Sequence, residues 1–274
     1  MATNESPRRI VVWSDGCAQA ERVVAWAARH AAKRTVPLHI LQFSAAAALS
    51  GSGSEPMHSG FAERDPAAID VVRVAHEMRR IQSEHEELPV TFEVVHDAAP
   101  RHVLESCVDG DVLVTDSNTF FRLSEDGITA SVPVVIVPEQ VGKTTGAHGV
   151  LLVPGRRFSA PVADFAFITA ADLGLSLDLV RVAPQSPAFG DDYWIDSGKS
   201  ANEPDPQWQA ESARWQQRFP QVSAASWVLR TRPAATLESM ARSARLAVVG
   251  SEANRELRAL LDAGACPVAV VPEL

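Results

Sequence analysis

Short apolar runs alternate along this chain with longer stretches in which apolar residues recur every three or four positions. The run RIVVW at 9–13 is followed by Ala20, Val23, Val24, Ala27, Ala28 and Ala31, spaced i, i+3, i+4, i+7, i+8 and i+11. A strand and then a helix with one apolar face are predicted there. LHILQF at 38–43 predicts a second strand, and Val71, Val74, Ala75, Met78 and Ile81 line one face of a second helix. The runs VTFEVV, DVLVT (111–115) and VPVVIVPE (132–139) continue the alternation. From 149 the order starts again: GVLLV (149–153), then Ser159 as a candidate cap, Pro161 in the first turn, and Val162, Phe165 and Ala166 opening an apolar stripe. LDLVRV (177–182) follows, and then Trp208, Ser212, Trp215 and Phe219 at helical spacing.

The second series repeats the first. VPVVIVPE at 132–139 returns as CPVAVVPE at 266–273, and the same interval upstream of Pro133 and Pro267 reaches Asp116 and Gly250, each closing an apolar run. Pro100 answers Pro233, and Leu104-Glu105-Ser106 answers Leu237-Glu238-Ser239. Such self-similarity marks a duplicated unit. Two α/β domains are expected, 1–140 and 149–274, joined by the linker EQVGKTTGAH at 139–148. Each should hold a doubly wound parallel sheet of five strands, because strands separated by helices are joined by right-handed crossovers. The strands should be apolar nearly throughout, since helices cover both faces. Polar stretches at 45–56 and 185–206 read as loops; the aromatic pair Tyr193-Trp194 falls in the second, as a partner contact or as packing on its own domain.

Composition narrows the function. Of the 274 residues, 46% are hydrophobic and 22% charged, which is ordinary globular chemistry, and a formal net charge of −9 argues against nucleic acid or an anionic membrane as partner. No stretch approaches the ~20 apolar residues of a membrane span, and the start lacks the apolar run of a signal peptide, so the cytoplasm is the expected compartment. Cys17, Cys107 and Cys266 lie far apart without metal-ligand spacing and read as bystander thiols. The histidines form no paired ligand pattern, and no metal is expected. Gly142-Lys143-Thr144-Thr145 resembles the end of a phosphate-binding loop but precedes a strand, so it reads as linker. Gly155-Arg156-Arg157, after the second copy's first strand, is either an anion site or a solvated turn. Trp208, Trp215 and Trp227 read as core or interface anchors. Ser14-Asp15 lacks a nucleophile-elbow context, and without an acid, base or nucleophile constellation an enzyme is not expected.

The strand ending Val11-Val12-Trp13-Ser14-Asp15-Gly16, the strands DVLVT and LAVVG, and the closing Cys-Pro-Val-hydrophobic strand resemble the universal stress protein family, twice over. The resemblance implies a Rossmann-like, adenine nucleotide alpha hydrolase-like fold with strand order 3-2-1-4-5. It also implies pairing of two units through their fifth strands, here Val134–Val137 against Val268–Val271 as an internal pseudo-dimer, with a homodimer also allowed. Some members of the family bind ATP through a loop G-x2-G-x9-G-[ST] after strand four. Here Gly250 keeps the first glycine, Ala253 stands at the second, and the Gly-Ser pair would fall on Asn254-Arg255. In the first copy Asp116 replaces the leading glycine and would turn a carboxylate toward any phosphate. The family's ribose- or adenine-binding aspartate corresponds to Asp15, and Pro154-Gly155 stands there in the second copy. The positions that would line a degenerate nucleotide site are Trp13, Asp15, Gly16, Thr115, Asp116, Ser117, Gly155, Gly250 and Ser251. The resemblance with these deletions implies a regulatory or scaffolding protein acting through unidentified protein partners, without a cofactor beyond a weakly held adenine nucleotide. The alternative is a module binding adenosine, AMP or ATP through the first repeat.

Overall fold

A computed structural model describes residues 7–14, 18–43, 66–95, 100–125, 130–139, 149–154, 159–182, 206–229 and 233–273. The loop at 45–56, the pair Tyr193-Trp194, Cys17 and most of the linker lie outside the described residues. The chain divides into two compact units, Pro7–Val137 and Pro138–Leu274.

In the first unit, strands β1 (Arg9–Ser14), β2 (Leu38–Phe43), β3 (Val90–Val95), β4 (Asp111–Asp116) and β5 (Val134–Val137) form a parallel sheet in the order 3-2-1-4-5. Helices α1 (Ala18–Arg34), α2 (Pro66–Glu84), α3 (Pro100–Glu105) and α4 (Ser117–Glu125) alternate with them. The apolar stripe of α1 is buried at all six expected positions, and Ala27 and Ala31 are fully enclosed. Their small side chains let the helix lie close on β1 and β4. Each large apolar side chain enclosed there contributes about 1.5–3 kcal/mol.

The second unit repeats the plan with β6 (Gly149–Val153), β7 (Ser176–Val182), β8 (Ala224–Leu229), β9 (Ala244–Gly250) and β10 (Val268–Val271). These strands are parallel, with β8 outermost and β9 between β6 and β10. Its helices are α5 (Ala160–Leu173), α6 (Pro206–Arg218), α7 (Pro233–Ser243) and α8 (Asn254–Ala263). Ser159 occupies the N-cap of α5 in extended conformation, yet its hydroxyl makes no capping bond, so Pro161 is the sequence signal that counts there. Gly174 ends the helix at φ 63°, a left-handed conformation that glycine adopts without strain.

Two details differ from the sequence reading. The outer strands are not apolar throughout: β3 alternates half-buried and exposed positions, and Ala225, Ser226 and Trp227 of β8 are exposed. Strands 2, 1 and 4 have neighbours on both sides, whereas an outermost strand is only partly covered. Trp227 is accordingly no core anchor. It is 49% exposed and donates its Nε1–H to Asp178 Oδ1 at 2.9 Å. Trp208 and Trp215 are buried, with Trp215 and Phe219 stacked about Phe167, whose ring centroid lies 5.3 Å from that of Phe219. Arg218 sits 5.0 Å from the Trp215 ring centroid and pairs with Asp164 at 3.1 Å.

An ion pair fastens the start of the first sheet. Arg9 donates from Nε to Asp111 Oδ2 at 2.9 Å and from Nη2 to the Ser106 carbonyl at 2.6 Å, and the Val108 N–H reaches the same Oδ2. The Asp111 side chain is almost wholly enclosed, so the pair takes the place of lost hydration.

Candidate functional site

In open α/β sheets ligands gather beyond the carboxyl ends of the strands. In the first unit this edge is built from the ends of β1, β2 and β4. Trp13, on β1, is buried, and Ser14 lies in register with Gln42 of β2. Thr115 and Asp116 end β4, and α4 begins at the next residue, Ser117, so no loop separates strand from helix. Trp13 and Thr115 lie near the carboxyl ends of the adjacent strands β1 and β4, with Asp116 ending β4 and Ser117 opening α4. Asp15, Gly16 and Gly155 lie outside the described residues.

Asp116 corrects one expectation. Its carboxylate is not left facing outward toward a phosphate. Oδ1 accepts the Thr119 backbone N–H at 2.9 Å and Oδ2 accepts the Thr119 hydroxyl at 2.7 Å, with both residues buried. The aspartate is the N-cap of α4, holding an N–H that helix termini otherwise offer to an anion. A bound phosphate would have to displace it.

Two polar atoms on the same edge are differently placed. Thr115 is fully buried and its Oγ1 has no hydrogen-bond partner, and neither does Nε2 of Gln42, which is 3% exposed. Buried polar atoms of this kind cost about 1–3 kcal/mol each unless a partner arrives.

In the second unit β9 ends at Gly250 and α8 begins at Asn254, leaving only Ser251, Glu252 and Ala253 between them. The turn is closed on itself. Ala253 N–H donates to the Gly250 carbonyl at 3.0 Å, and Ser251 N–H donates to the Val271 carbonyl at 2.9 Å. Ala253 is the N-cap of α8 and gives it no side-chain bond. The side chain of Glu273, two residues past β10, lies over the turn. A Cβ added at Gly250 would stand 1.6 Å from its Oε1, so Gly250 is where the turn makes room for a carboxylate of its own chain. Burial pushes the Glu273 carboxyl up from its ordinary range, opposed by a hydrogen bond from the Glu252 backbone and reinforced by the Glu252 charge. Gly250 and Ser251 both belong to this turn, and Ser251 Oγ accepts the Glu273 N–H at 3.3 Å.

Sequence reasoning missed Thr119, Gln42 and Glu273. The cap was readable in part, because an aspartate just before a helix accepts the backbone N–H two or three residues on. Gln42 stands out only as a polar residue within the run LHILQF. Glu273 shares its place with Glu139 in the repeated Val-Pro-Glu endings, which signals equivalence but not contact.

The two described cysteines are not poised to react. Burial pushes the Cys107 thiol up to about 11 and the Cys266 thiol up to about 12, away from the thiolate that reacts. Among the described residues no three His, Cys, Asp or Glu side chains are grouped to hold a metal ion, and no helix is long and apolar enough to cross a membrane.

Residues 7–106 match the model of the universal stress protein family. Along nearly the whole length, the chain is 26% identical to universal stress protein Rv1996 of Mycobacterium tuberculosis and to Mb2019 of Mycobacterium bovis, covering 98% of this chain and 96% of theirs. Among solved structures, a universal stress protein from Archaeoglobus fulgidus superposes with a TM-score of 0.65 at 11% identity, over 100% of this chain and 98% of that one. A putative universal stress protein from Pseudomonas aeruginosa gives 0.53 at 13% identity, over 98% and 94%. At these identities the structural matches speak for the fold.

Proposed function

The chain belongs to the universal stress protein family, and we propose on that premise that it is a non-enzymatic regulatory or scaffolding module of the cytoplasm in which ordinary ATP binding is lost. The observation that carries this reading is the state of the two strand-four ends. In the first unit Asp116 caps α4 directly, and in the second three residues join β9 to α8 beneath the side chain of Glu273. A triphosphate needs several free N–H groups in a loop that can wrap it. Neither strand-four end has a loop of that length.

Regulation without a triphosphate calls for contact with other proteins. β5 and β10 each end the sheet of their own unit and are wholly apolar, Val-Val-Ile-Val and Val-Ala-Val-Val. Sheet ends of that composition invite pairing. We assign them to each other, as an internal pseudo-dimer, with homodimerisation of the chain as the next level of assembly.

A second reading rests on Thr115 Oγ1 and Gln42 Nε2, the buried polar atoms without partners at the carboxyl edge of the first sheet. They could serve adenosine or AMP, which asks little of a phosphate cradle. A thermal-shift series with adenosine, AMP and magnesium ATP separates the two readings. The regulatory reading expects no shift with any of them. A ligand at 100 times its dissociation constant would add about 2.7 kcal/mol. Stabilisation by adenosine or AMP that Gln42→Leu abolishes would favour the second reading, and stabilisation by ATP above AMP would overturn the first.

A further inference from the structure

The outward face of α1 carries charge that the core stripe does not call for. Arg22, Trp26, Arg29, His30 and Lys33 stand at i, i+4, i+7, i+8 and i+11, a single face about 16 Å long at the helical rise. Arg22, Arg29 and Lys33 are exposed, and Trp26 and His30 are half-buried among them, stacked with ring centroids 3.6 Å apart. Arg29, Lys33 and Arg34 all stand near enough to His30 to oppose its protonation, so the face is strongly positive. Beside it α2 ends in the exposed Glu84, and the turn that follows exposes Glu86 and Glu87. Arg80 of α2 donates to the Glu21 carbonyl of α1 at 3.3 Å, which sets the two helices side by side. They are successive crossovers in one direction across the sheet, β1 to β2 and β2 to β3, and so cover the same side of it. Neither the three exposed cations nor the three carboxylates make an ion pair among the described residues.

The second unit lacks both features. Val36 N–H donates to the Ala31 carbonyl at the end of α1 as Leu175 N–H donates to that of Ala170 at the end of α5, and this register sets Pro161, Ile168 and Asp172 where the first unit has Arg22, Arg29 and Lys33. Leu88 N–H donates to the His85 carbonyl as Val222 N–H donates to that of Phe219, which sets Arg218, Pro220 and Gln221 where the first unit has Glu84, Glu86 and Glu87. The cationic face and the acidic turn are thus present together in one copy and absent together in the other, as two halves of one contact would be. We propose that they form a two-fold interface between two copies of this chain, the α1 face of each first unit meeting the Glu84–Glu87 turn of the other. A two-fold contact lets each patch meet its complement twice. Exposed ion pairs are weak singly but set orientation, and the Trp26–His30 stack supplies a less polar centre. The apolar side of α1 is enclosed in the core, so the helix has no face to lay into a membrane, and a net charge of −9 repels extended polyanions. The inference rests on the proposed homodimerisation, to which it gives a surface, and is independent of the fate of ATP.

Sedimentation velocity of the full chain tests the interface through two charge-reversed variants, one carrying Arg22→Glu, Arg29→Glu and Lys33→Glu, the other Glu84→Lys, Glu86→Lys and Glu87→Lys. Wild type is expected to dimerise at about 100 μM chain, and each variant alone to self-associate at least about tenfold more weakly. An equimolar mixture of the two variants should recover the dimer, because each reversed patch then faces its opposite. A monomeric wild type overturns the inference together with the homodimerisation on which it rests. A dimer indifferent to both sets of substitutions, or a mixture that stays monomeric, overturns this interface and leaves homodimerisation standing. Should a triple variant not fold, Arg29→Glu and Glu86→Lys, each alone and then mixed, give the same reading.

Discussion

Asp116 shows how a single residue changes meaning between sequence and structure. Read by alignment with Gly250, it is a charge standing where a glycine belongs; seen in place, it is a satisfied helix cap. Carboxylates suit that position twice over, as acceptors for an unpaired N–H and as charges facing the positive end of the helix. Removing the acceptor should cost more than removing the charge. Asp116→Ala is expected to lower unfolding stability by about 1–2 kcal/mol in urea titration, and Asp116→Asn by a few tenths, because asparagine caps nearly as well. Equal losses in the two variants would show that the charge, not the cap, matters at this site. The misreading arose because alignment compares residues across repeats, whereas a cap is settled by the residue three places on. Glu273 was hidden for a different reason, since its contact with Gly250 spans two elements and leaves no periodic trace.

Among the elements, α1 was the most legible, because its stripe of Val and Ala has the helical period over nearly the whole length. Its other face carries a residue the stripe does not explain. His30 stacks on Trp26 with ring centroids 3.6 Å apart, and its Nδ1 lies 2.8 Å from the Trp26 carbonyl. Burial lowers its pKa from 6.5 to about 4, opposed by the Trp26 bond and assisted by Arg34, Arg29 and Lys33. A histidine whose folded pKa is depressed takes up its proton in the unfolded chain first. Stability should therefore fall as pH drops from 6.5 toward 4, by at most about 1.4 kcal/mol per pH unit. Chemical denaturation of wild type and His30→Leu across this range checks the sign, and the variant should lose that part of the acid sensitivity. The outer strands were less legible. β3 and β8 are written with the same β-rich residues as the inner strands, and only their place at the edge of the order leaves Glu93 and Trp227 exposed.

At the scale of the whole chain, the duplication made the architecture readable before any motif did. Once Pro133 and Pro267 set a common register, the strands of one half predicted those of the other, and both sheets adopt the order 3-2-1-4-5. Function was less legible because it depends on short turns, where one residue decides whether backbone N–H groups are offered or withheld. The two strand-four ends differ, a capped helix in one unit and a covered glycine in the other, and the proposed function has both closed to ATP. Native mass spectrometry of the full chain as purified, with and without added magnesium ATP, tests this most directly. The bare chain mass should dominate in both spectra; a stoichiometric ATP adduct surviving from purification, or forming at micromolar nucleotide, would contradict it.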